Sequence, residues 1–147
     1  MSKPNVKNFA KAELLGGYTA GALAVTLKAG HGAKLPEGPF RAVWWNVTDY
    51  PSPEDDPDVE IVLVGTHVIG SDTCSNISRG QEGTVATAKN IAGKTYLLMN
   101  VMTAAMYEDL PDGTDLTGSQ IKIGATAYEV FAQEVDGEPV LKLRLPT

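Results

Sequence analysis

Residues 40–47, FRAVWWNV, form an apolar run of the length typical of a β-strand. Successive side chains of a strand point to opposite faces, so Trp44 and Trp45 cannot share one core layer. A large exposed aromatic side chain is costly unless another group buries it. We therefore expect one of the two tryptophans to cover an interface or a neighbouring loop.

The rest of the chain is also cut into short apolar runs, by 15 glycines and 9 prolines. The predicted fold class is mostly β: an antiparallel β-sandwich or a small barrel-like sheet with one short α-helix. Besides 40–47, strands are predicted over residues 22–28, 59–64, 73–78, 94–100, 121–131 and 140–145. The helix is predicted over Val101–Leu110, and the following Pro111, Asp112 and Gly113 end it.

Alternation within residues 22–28 is what a half-buried strand requires. Leu23, Val25 and Leu27 share one face of this strand, and polar or small side chains share the other. The first face is therefore expected to point into the core.

Loops and turns separate the predicted strands. Residues 49–58 hold three prolines, which deny the backbone donors that a central strand needs, so this acidic segment is predicted to be a surface loop. Residues 70–72 are predicted to turn a hairpin, and Asp136-Gly137 a second one. The polar, glycine-bearing residues 79–84 are expected to leave the sheet.

Length and charge limit the domain organisation and the partners. A chain of 147 residues suffices for one buried core; we expect a domain over 1–110 and a β extension over 111–147, packed on the same domain.

The net charge is -6, and the 12 lysines and arginines are scattered singly, so nucleic acid and anionic membranes are not expected partners. No apolar run approaches the roughly 18 residues that cross a bilayer. The N-terminal lysines precede no apolar segment of a signal peptide, which predicts a protein made and kept in the cytoplasm.

Two local patterns suggest ligand sites and fail on spacing. Residues 92–95, AGKT, match the end of a phosphate-binding loop, but Ala88 stands where that motif needs glycine, and a strand rather than a helix is predicted to follow. The acidic residues of 49–58 offer oxygen ligands for calcium without the spacing of an EF-hand, so a solvated loop is the preferred interpretation. No metal and no cofactor are predicted.

Catalysis is not expected either. His31 and His67 are the only histidines; each is predicted to be a surface or structural residue rather than a base. Cys74 is the only cysteine, so no internal disulfide can form, and a small buried residue is its default role. A pair of carboxylates for glycan cleavage stays formally open, but nothing in the sequence singles one out.

Four stretches of the chain form a distinctive combination: Pro39–Asn46 (PFRAVWWN), Asp49–Pro51 (DYP), Asp56–Val62 (DPDVEIV) and Ile77–Thr84 (ISRGQEGT). Together they resemble a small β-domain of tailed-bacteriophage virion proteins, which recurs at the head of tail-fibre and other tail or neck structural proteins. In those relatives an element like residues 79–84 follows a hairpin strand, and a short helix follows the last strand. The resemblance spans residues 6–110.

This resemblance implies assembly rather than catalysis. Arg79, Gln81 and Glu82 are expected to lock their loop to neighbouring backbone, with Gly80 and Gly83 permitting the turn; whether the loop serves only its own fold or also an interface is left open. The candidate interaction residues are Trp44, Trp45, Tyr50, Arg79, Gln81, Glu82 and Tyr96.

The leading hypothesis is a virion structural protein, synthesised in the host cytoplasm, that forms homo-oligomers and attaches a fibre or appendage to the tail or neck. The alternative is a head decoration protein, because the relatives continue into a long fibre chain and here only a short β segment follows; a glycan-acting enzyme is less favoured. Both virion hypotheses predict an exposed apolar strip, with Trp44 or Trp45 and residues 96–99 as candidates. Residues 140–145 are predicted to pair between copies as edge strands.

Overall fold

The computed structural model describes residues 4–108, 120–123, 126–135 and 138–145. The chain divides into two compact units, residues 1–107 and 108–147. The first unit forms a closed barrel of six antiparallel strands and the second a three-stranded sheet. The prediction of a mostly β, barrel-like fold with one short helix is confirmed. The packing of the C-terminal segment on the same domain stays a prediction.

The barrel strands are β1 (Lys11–Leu15), β2 (Val25–Leu27), β3 (Phe40–Asn46), β4 (Glu60–Thr66), β5 (Thr73–Gln81) and β6 (Tyr96–Asn100). They neighbour one another in the order β1-β2-β5-β4-β3-β6, and β6 closes the barrel on β1. Short 3₁₀ turns span His31–Lys34 and Pro53–Asp55, and the helix α1 spans Ala104–Glu108. In the second unit the strands are β7 (Gln120–Ile123), β8 (Thr126–Val135) and β9 (Glu138–Arg144).

Strand alternation fills the barrel interior. On β3, Phe40, Ala42 and Trp44 face inward, and register pairs them with Val64, Val62 and Glu60 of β4. The other buried apolar side chains of this core are Ala10, Ala12, Leu14, Val25, Leu27, Leu35, Cys74, Ile77, Tyr96 and Leu98. A glutamate therefore stands in an otherwise apolar interior layer, next to a tryptophan.

The antiparallel order gives the barrel two ends, which we name by their contents. The cluster end carries the loops 16–24, 47–59 and 82–95; the hairpin end carries the segments 5–10, 28–39 and 67–72. Hydrogen bonds tie the hairpin end together: Asn5 donates to Pro39, Gly38 to His67 and Ile69 to Glu37.

Several predicted boundaries are wrong. The strand predicted over 22–28 contracts to Val25–Leu27, and Leu23 is 61% exposed, because residues 19–22 form a turn in which Ala22 donates to the carbonyl of Thr19. The sequence does not predict β1 at all, since Lys11–Leu15 contains only two inward side chains, Ala12 and Leu14.

Residues 79–84 were expected to leave the sheet, and the first three do not. β5 continues through Gln81, which pairs with Ile61 across a register shift between Ile61 and Leu63. The extension forms because Glu60 accepts hydrogen bonds from both Arg79 and Gly80 and so holds them against β4. The predicted hairpin of β4 and β5 around residues 70–72 is confirmed.

The predicted tail strand 121–131 is two strands, β7 and β8, paired in one antiparallel sheet with β9. The predicted turn at Asp136-Gly137 and the predicted helix stop at residues 111–113 lie outside the described residues. Among the described residues, no helix is long and apolar enough to cross a membrane.

Candidate functional site

Glu60 is the centre of a buried polar cluster at the cluster end of the barrel. Its side chain is fully buried, and its two oxygens accept hydrogen bonds from Arg79, Gly80, Thr87 and Lys89. Oε1 accepts from Arg79 Nε at 2.7 Å and from the Gly80 amide at 2.8 Å. Oε2 accepts from Arg79 Nη2 at 2.8 Å and lies 3.4 Å from Lys89 Nζ. The arginine contact is the bidentate geometry that makes carboxylate–guanidinium pairs strong.

Arg79 joins four segments of the chain through one guanidinium. Besides Glu60, it donates from Nη1 to the carbonyls of Thr19 (3.0 Å) and Ala22 (3.2 Å), and from Nη2 to that of Thr87 (2.8 Å). A guanidinium has five N–H donors, and these contacts use all five. The expectation that Arg79 locks its loop to neighbouring backbone is therefore confirmed, and its hydrogen bonding is internal to the barrel.

Lys89 holds the following loop to the same cluster. Its side chain is 1% exposed and donates to the Asp58 carbonyl at 2.9 Å and to the hydroxyl of Thr87. Its backbone pairs with Tyr18 in an isolated antiparallel bridge. Lys89 thereby connects the loops 16–24, 47–59 and 82–95 to one another.

Trp44 forms the floor of the cluster. The Arg79 guanidinium carbon lies 4.5 Å from its ring centroid, and Lys89 Nζ lies 5.8 Å away, which are cation–π distances. Tyr18 meets the same ring edge-on at 5.8 Å. Trp44 Nε1 is buried and has no hydrogen-bond partner among the described residues.

The cluster perturbs the pKa values of both its carboxylate and its lysine. Burial alone would raise the pKa of Glu60, but the hydrogen bonds from Arg79 and Gly80 and the charges of Arg79 and Lys89 together lower it. Burial lowers the pKa of Lys89, and the nearby Glu60 carboxylate opposes this only in part. Glu60 is therefore held as the carboxylate by Arg79 above all.

Glu82 anchors a different segment. Its backbone adopts a left-handed conformation with φ 53°, and its side chain, 15% exposed, turns to the outer face of the barrel. There it lies 2.9 Å from Arg41 Nη1 and accepts a hydrogen bond from the Thr103 hydroxyl at 2.5 Å. The Ala105 amide donates to it at 3.4 Å, at the start of α1. Glu82 thus fixes the chain that leaves β6.

Gln81 acts only locally, through a hydrogen bond from its amide to the carbonyl of Arg79 at 3.1 Å. The residues 79–82 therefore have three separate roles: Arg79 faces the core cluster, Gln81 supports the strand end, and Glu82 binds the segment before α1.

The residues predicted to form an exposed aromatic or apolar strip are buried, so their predicted exposure is wrong. Trp44, Trp45 and Tyr96 are 0%, 3% and 5% exposed, and Leu97 and Leu98 are also buried. The closed barrel explains this, since Trp44 occupies its interior while Trp45, on the outer face, lies under the loop that follows β3. Trp45 Nε1 donates to the Tyr50 carbonyl at 3.1 Å, which confirms that one tryptophan covers a neighbouring loop. The Tyr96 hydroxyl accepts from the Ile91 amide at 3.3 Å.

Glu60 and Lys89 were not among the predicted site residues. Glu60 had a usable signal, because it alternates with Val62 and Val64 in β4 and must share their inward face. A charged side chain on an inward face requires a buried partner of opposite charge. Lys89 lies in an irregular loop and has no such signal.

The residues considered above for catalysis or ligand binding make separate structural contacts and do not form a common site. His31 accepts a hydrogen bond from the Glu13 amide at 2.9 Å, and both ring nitrogens of His67 contact backbone carbonyls, of Pro36 and Ser71. The side chain of Lys94 pairs with Asp49. In the acidic loop, Asp56 is buried and accepts from the amides of Asn46 and Asp58. Within the described ranges, no three histidine, cysteine or acidic side chains are grouped as a metal site would need.

Cys74 supplies a prediction about reactivity. Burial inside the barrel raises the pKa of its thiol to about 12, so at neutral pH the reactive thiolate is roughly a thousandfold rarer than for a free cysteine. A disulfide reagent such as DTNB is expected to label the folded protein far more slowly than the protein in guanidinium chloride. Equal labelling rates in the two conditions would contradict the burial of Cys74.

The cluster of Glu60, Arg79, Lys89 and Trp44 thus holds together the three loops at the cluster end of the barrel. Comparison with known proteins adds no family to this geometry: no protein-family model matches the chain, and no curated protein matches its sequence.

Proposed function

We propose that this chain is a bacteriophage virion structural protein, a non-enzymatic adaptor that attaches a fibre or appendage to the tail or neck. The observation that carries the proposal is the position of the family-like stretches in the barrel. They occupy β3, β4 and β5, which are direct neighbours, together with the loops at the cluster end. All four stretches lie within residues 39–84, and the consecutive strands β3, β4 and β5 bring them together in one continuous part of the barrel.

The contacts of residues 79–84 support a scaffold role for that part of the barrel. Arg79 uses its donors to hold the loops 16–24 and 82–95, and Glu82 holds the segment before α1. A loop that is fixed by charge-assisted hydrogen bonds presents the same surface in every copy. Such uniform presentation is what a repeated contact in a particle requires.

The burial of the candidate interaction residues moves the contact surface elsewhere. Because Trp44, Trp45 and Tyr96 are buried, a partner would contact the exposed apolar side chains at the barrel ends instead. Among these, Phe9, Val68 and Ile69 lie at the hairpin end, and Leu23, Val85 and Ile91 lie at the cluster end.

The proposal is tested by counting copies of the chain in purified phage particles by quantitative mass spectrometry, relative to the major capsid protein. We expect a few to a dozen copies, and particles from a deletion mutant should lack one appendage. Hundreds of copies would overturn the adaptor assignment in favour of head decoration. Absence from particles would overturn both virion roles.

A further inference from the structure

His67 lies at the hairpin end of the barrel, and both nitrogens of its ring face backbone carbonyl oxygens. The residue is only 3% exposed. Nδ1 lies 2.7 Å from the carbonyl oxygen of Pro36, and Nε2 lies 2.9 Å from that of Ser71. A carbonyl oxygen can only accept a hydrogen bond, so each ring nitrogen must donate for its contact to be favourable. The geometry therefore requires a proton on both nitrogens.

This requirement selects one charge state of the ring. A neutral imidazole carries one N–H, and only the imidazolium carries two. A neutral His67 would direct a lone pair at the oxygen of Pro36 or of Ser71 within hydrogen-bonding distance, in a buried place where such a mismatch is costly. The imidazolium instead makes two charge-assisted hydrogen bonds. The contacts of His67 therefore fit a positively charged ring.

The charged groups of the surrounding segments include two carboxylates. Hydrogen bonds from two backbone amides lower the pKa of Asp72, on the same hairpin, and the nearby charge of His67 lowers it further. Glu37 follows Pro36 directly, and its carboxylate accepts the amide of a residue in the hairpin turn. The 3₁₀ turn contributes Lys34, which is exposed, and β3 contributes only the uncharged ring of Phe40. The carboxylates favour the charged form of His67.

His31, the other titratable group of the 3₁₀ turn, has the opposite requirement. Its Nδ1 accepts a hydrogen bond from the Glu13 amide at 2.9 Å, so this nitrogen carries no proton and the ring is neutral. Proton uptake would break this hydrogen bond at His31, whereas it completes the second hydrogen bond at His67. The two histidines of the chain are therefore expected to respond to pH in opposite ways.

The residue that His67 holds at Nε2 closes a turn with an apolar tip. Ser71 donates its amide to the carbonyl of Val68 at 2.9 Å. The side chains of Val68 and Ile69, which this turn carries, are 60% and 55% exposed. The ring of His67 thus fastens the end of an exposed apolar turn to the neighbouring segment at Pro36.

We propose that His67 is a proton-operated clamp on the turn 68–71. With both ring nitrogens protonated, it binds the turn to Pro36; after losing one proton it keeps only one of the two hydrogen bonds, and the turn that carries Val68 and Ile69 loosens. Histidine is suited to this role because its charge changes between pH 5 and 8. The inference goes beyond the proposed function, since it concerns a proton-dependent change within one chain and needs no virion component.

NMR of the ring nitrogens across pH 5–9 tests the charge states. Long-range ¹H–¹⁵N correlation spectra distinguish the imidazolium from each neutral tautomer. His31→Gln assigns the signals, because the chain has only two histidines, and His67→Gln gives the same assignment by difference. We expect His67 to stay protonated on both nitrogens to a higher pH than His31, whose neutral form should carry its proton on Nε2. Loss of the proton from both rings at the same pH, or from His67 first, would overturn the proposal.

Amide hydrogen exchange tests the clamping of the turn. Protection factors correct for the intrinsic pH dependence of exchange, and that of the Ser71 amide should fall by about tenfold or more as His67 loses its proton, the effect of losing one charge-assisted hydrogen bond. The Lys89 amide, which donates to Tyr18 at the cluster end, is the control and should keep its protection. Unchanged protection of Ser71 across the titration would overturn the proposal.

His67→Phe separates the proton from the packing of the ring. Phenylalanine fills a similar volume beside Phe40 but donates no hydrogen bond, so the pH dependence of Ser71 protection should disappear in a folded variant. The same pH dependence in this variant as in the wild type would contradict the clamp. The two wild-type measurements decide the proposal if His67→Phe does not fold, and the virion role is decided separately by the copy count.

Discussion

Glu60→Gln is expected to lower the free energy of unfolding by about 3–5 kcal/mol at pH 7, the usual effect of removing one partner from a buried ion pair. The substitution leaves Arg79 and Lys89 buried, at 6% and 1% side-chain exposure, without their carboxylate. For a domain of this size the melting temperature should fall by more than about 10 °C. Thermal unfolding followed by circular dichroism measures the change.

The effect should depend on pH in a defined direction. The pKa of Glu60 is lowered in the folded state, so the folded protein binds the proton less readily than the unfolded chain. Its stabilising contribution is therefore present above the unfolded-state pKa of about 4.3 and is lost as the pH falls through the lower folded-state value. The stability difference between wild type and Glu60→Gln should shrink as the pH is lowered from 7 towards 3.

Glu54→Gln is the matched control, because Glu54 is an exposed residue of the acidic loop. Its effect on stability should stay within about 0.5 kcal/mol. Arg79→Lys separates geometry from charge, since an ammonium cannot reproduce the bidentate contact or reach all five acceptors. Two results would contradict a stabilising role of the cluster: a Glu60→Gln protein that is as stable as Glu54→Gln, or a stability difference between wild type and Glu60→Gln that does not change with pH.

Gly32→Ala is expected to lower the free energy of unfolding of the barrel by at least about 1–3 kcal/mol, because the added Cβ would collide with backbone. A Cβ at this position would lie 1.9 Å from the carbonyl oxygen of Ser71 and 2.4 Å from its carbonyl carbon. The Gly32 amide also donates to Asp72 Oδ1 at 2.8 Å, so neither segment can move away without losing that bond. Urea unfolding gives the change as a shift in midpoint at constant slope.

Gly21→Ala is the control for this prediction. A Cβ on Gly21 meets nothing within 4 Å, so the same chemical change should be close to neutral. If Gly32→Ala unfolds at the same urea concentration as Gly21→Ala, the tight approach of the 3₁₀ turn to the hairpin is contradicted.

The sequence predicted the elements whose signal is local. β3 and the β4–β5 hairpin carry strand alternation and turn residues within a few positions, and both lie where they are predicted. β1 was missed because its inward residues are only Ala12 and Leu14, and its strand conformation depends on pairing with β2 and β6. A strand defined by its neighbours has little signature of its own.

The candidate site was likewise predictable only in part. The resemblance at residues 77–84 pointed to Arg79 as a lock, but its acceptors are the carboxylate of Glu60 and carbonyls of Thr19, Ala22 and Thr87, which no spacing relates. The exposure predicted for the tryptophans failed because exposure depends on what covers a face, and here a loop that begins one residue after β3 covers Trp45.

By itself, the amino-acid sequence determined the β class, the hairpin of β4 and β5, and the opposite orientations of Trp44 and Trp45, because side-chain alternation and turn chemistry act over a few residues. Only the tertiary structure decided that the sheet closes between β1 and β6, that Glu60 meets Arg79 and Lys89, and that Phe9 is exposed at the hairpin end. These features depend on contacts between residues that are distant in sequence, and such contacts exist only once the chain has closed into a barrel.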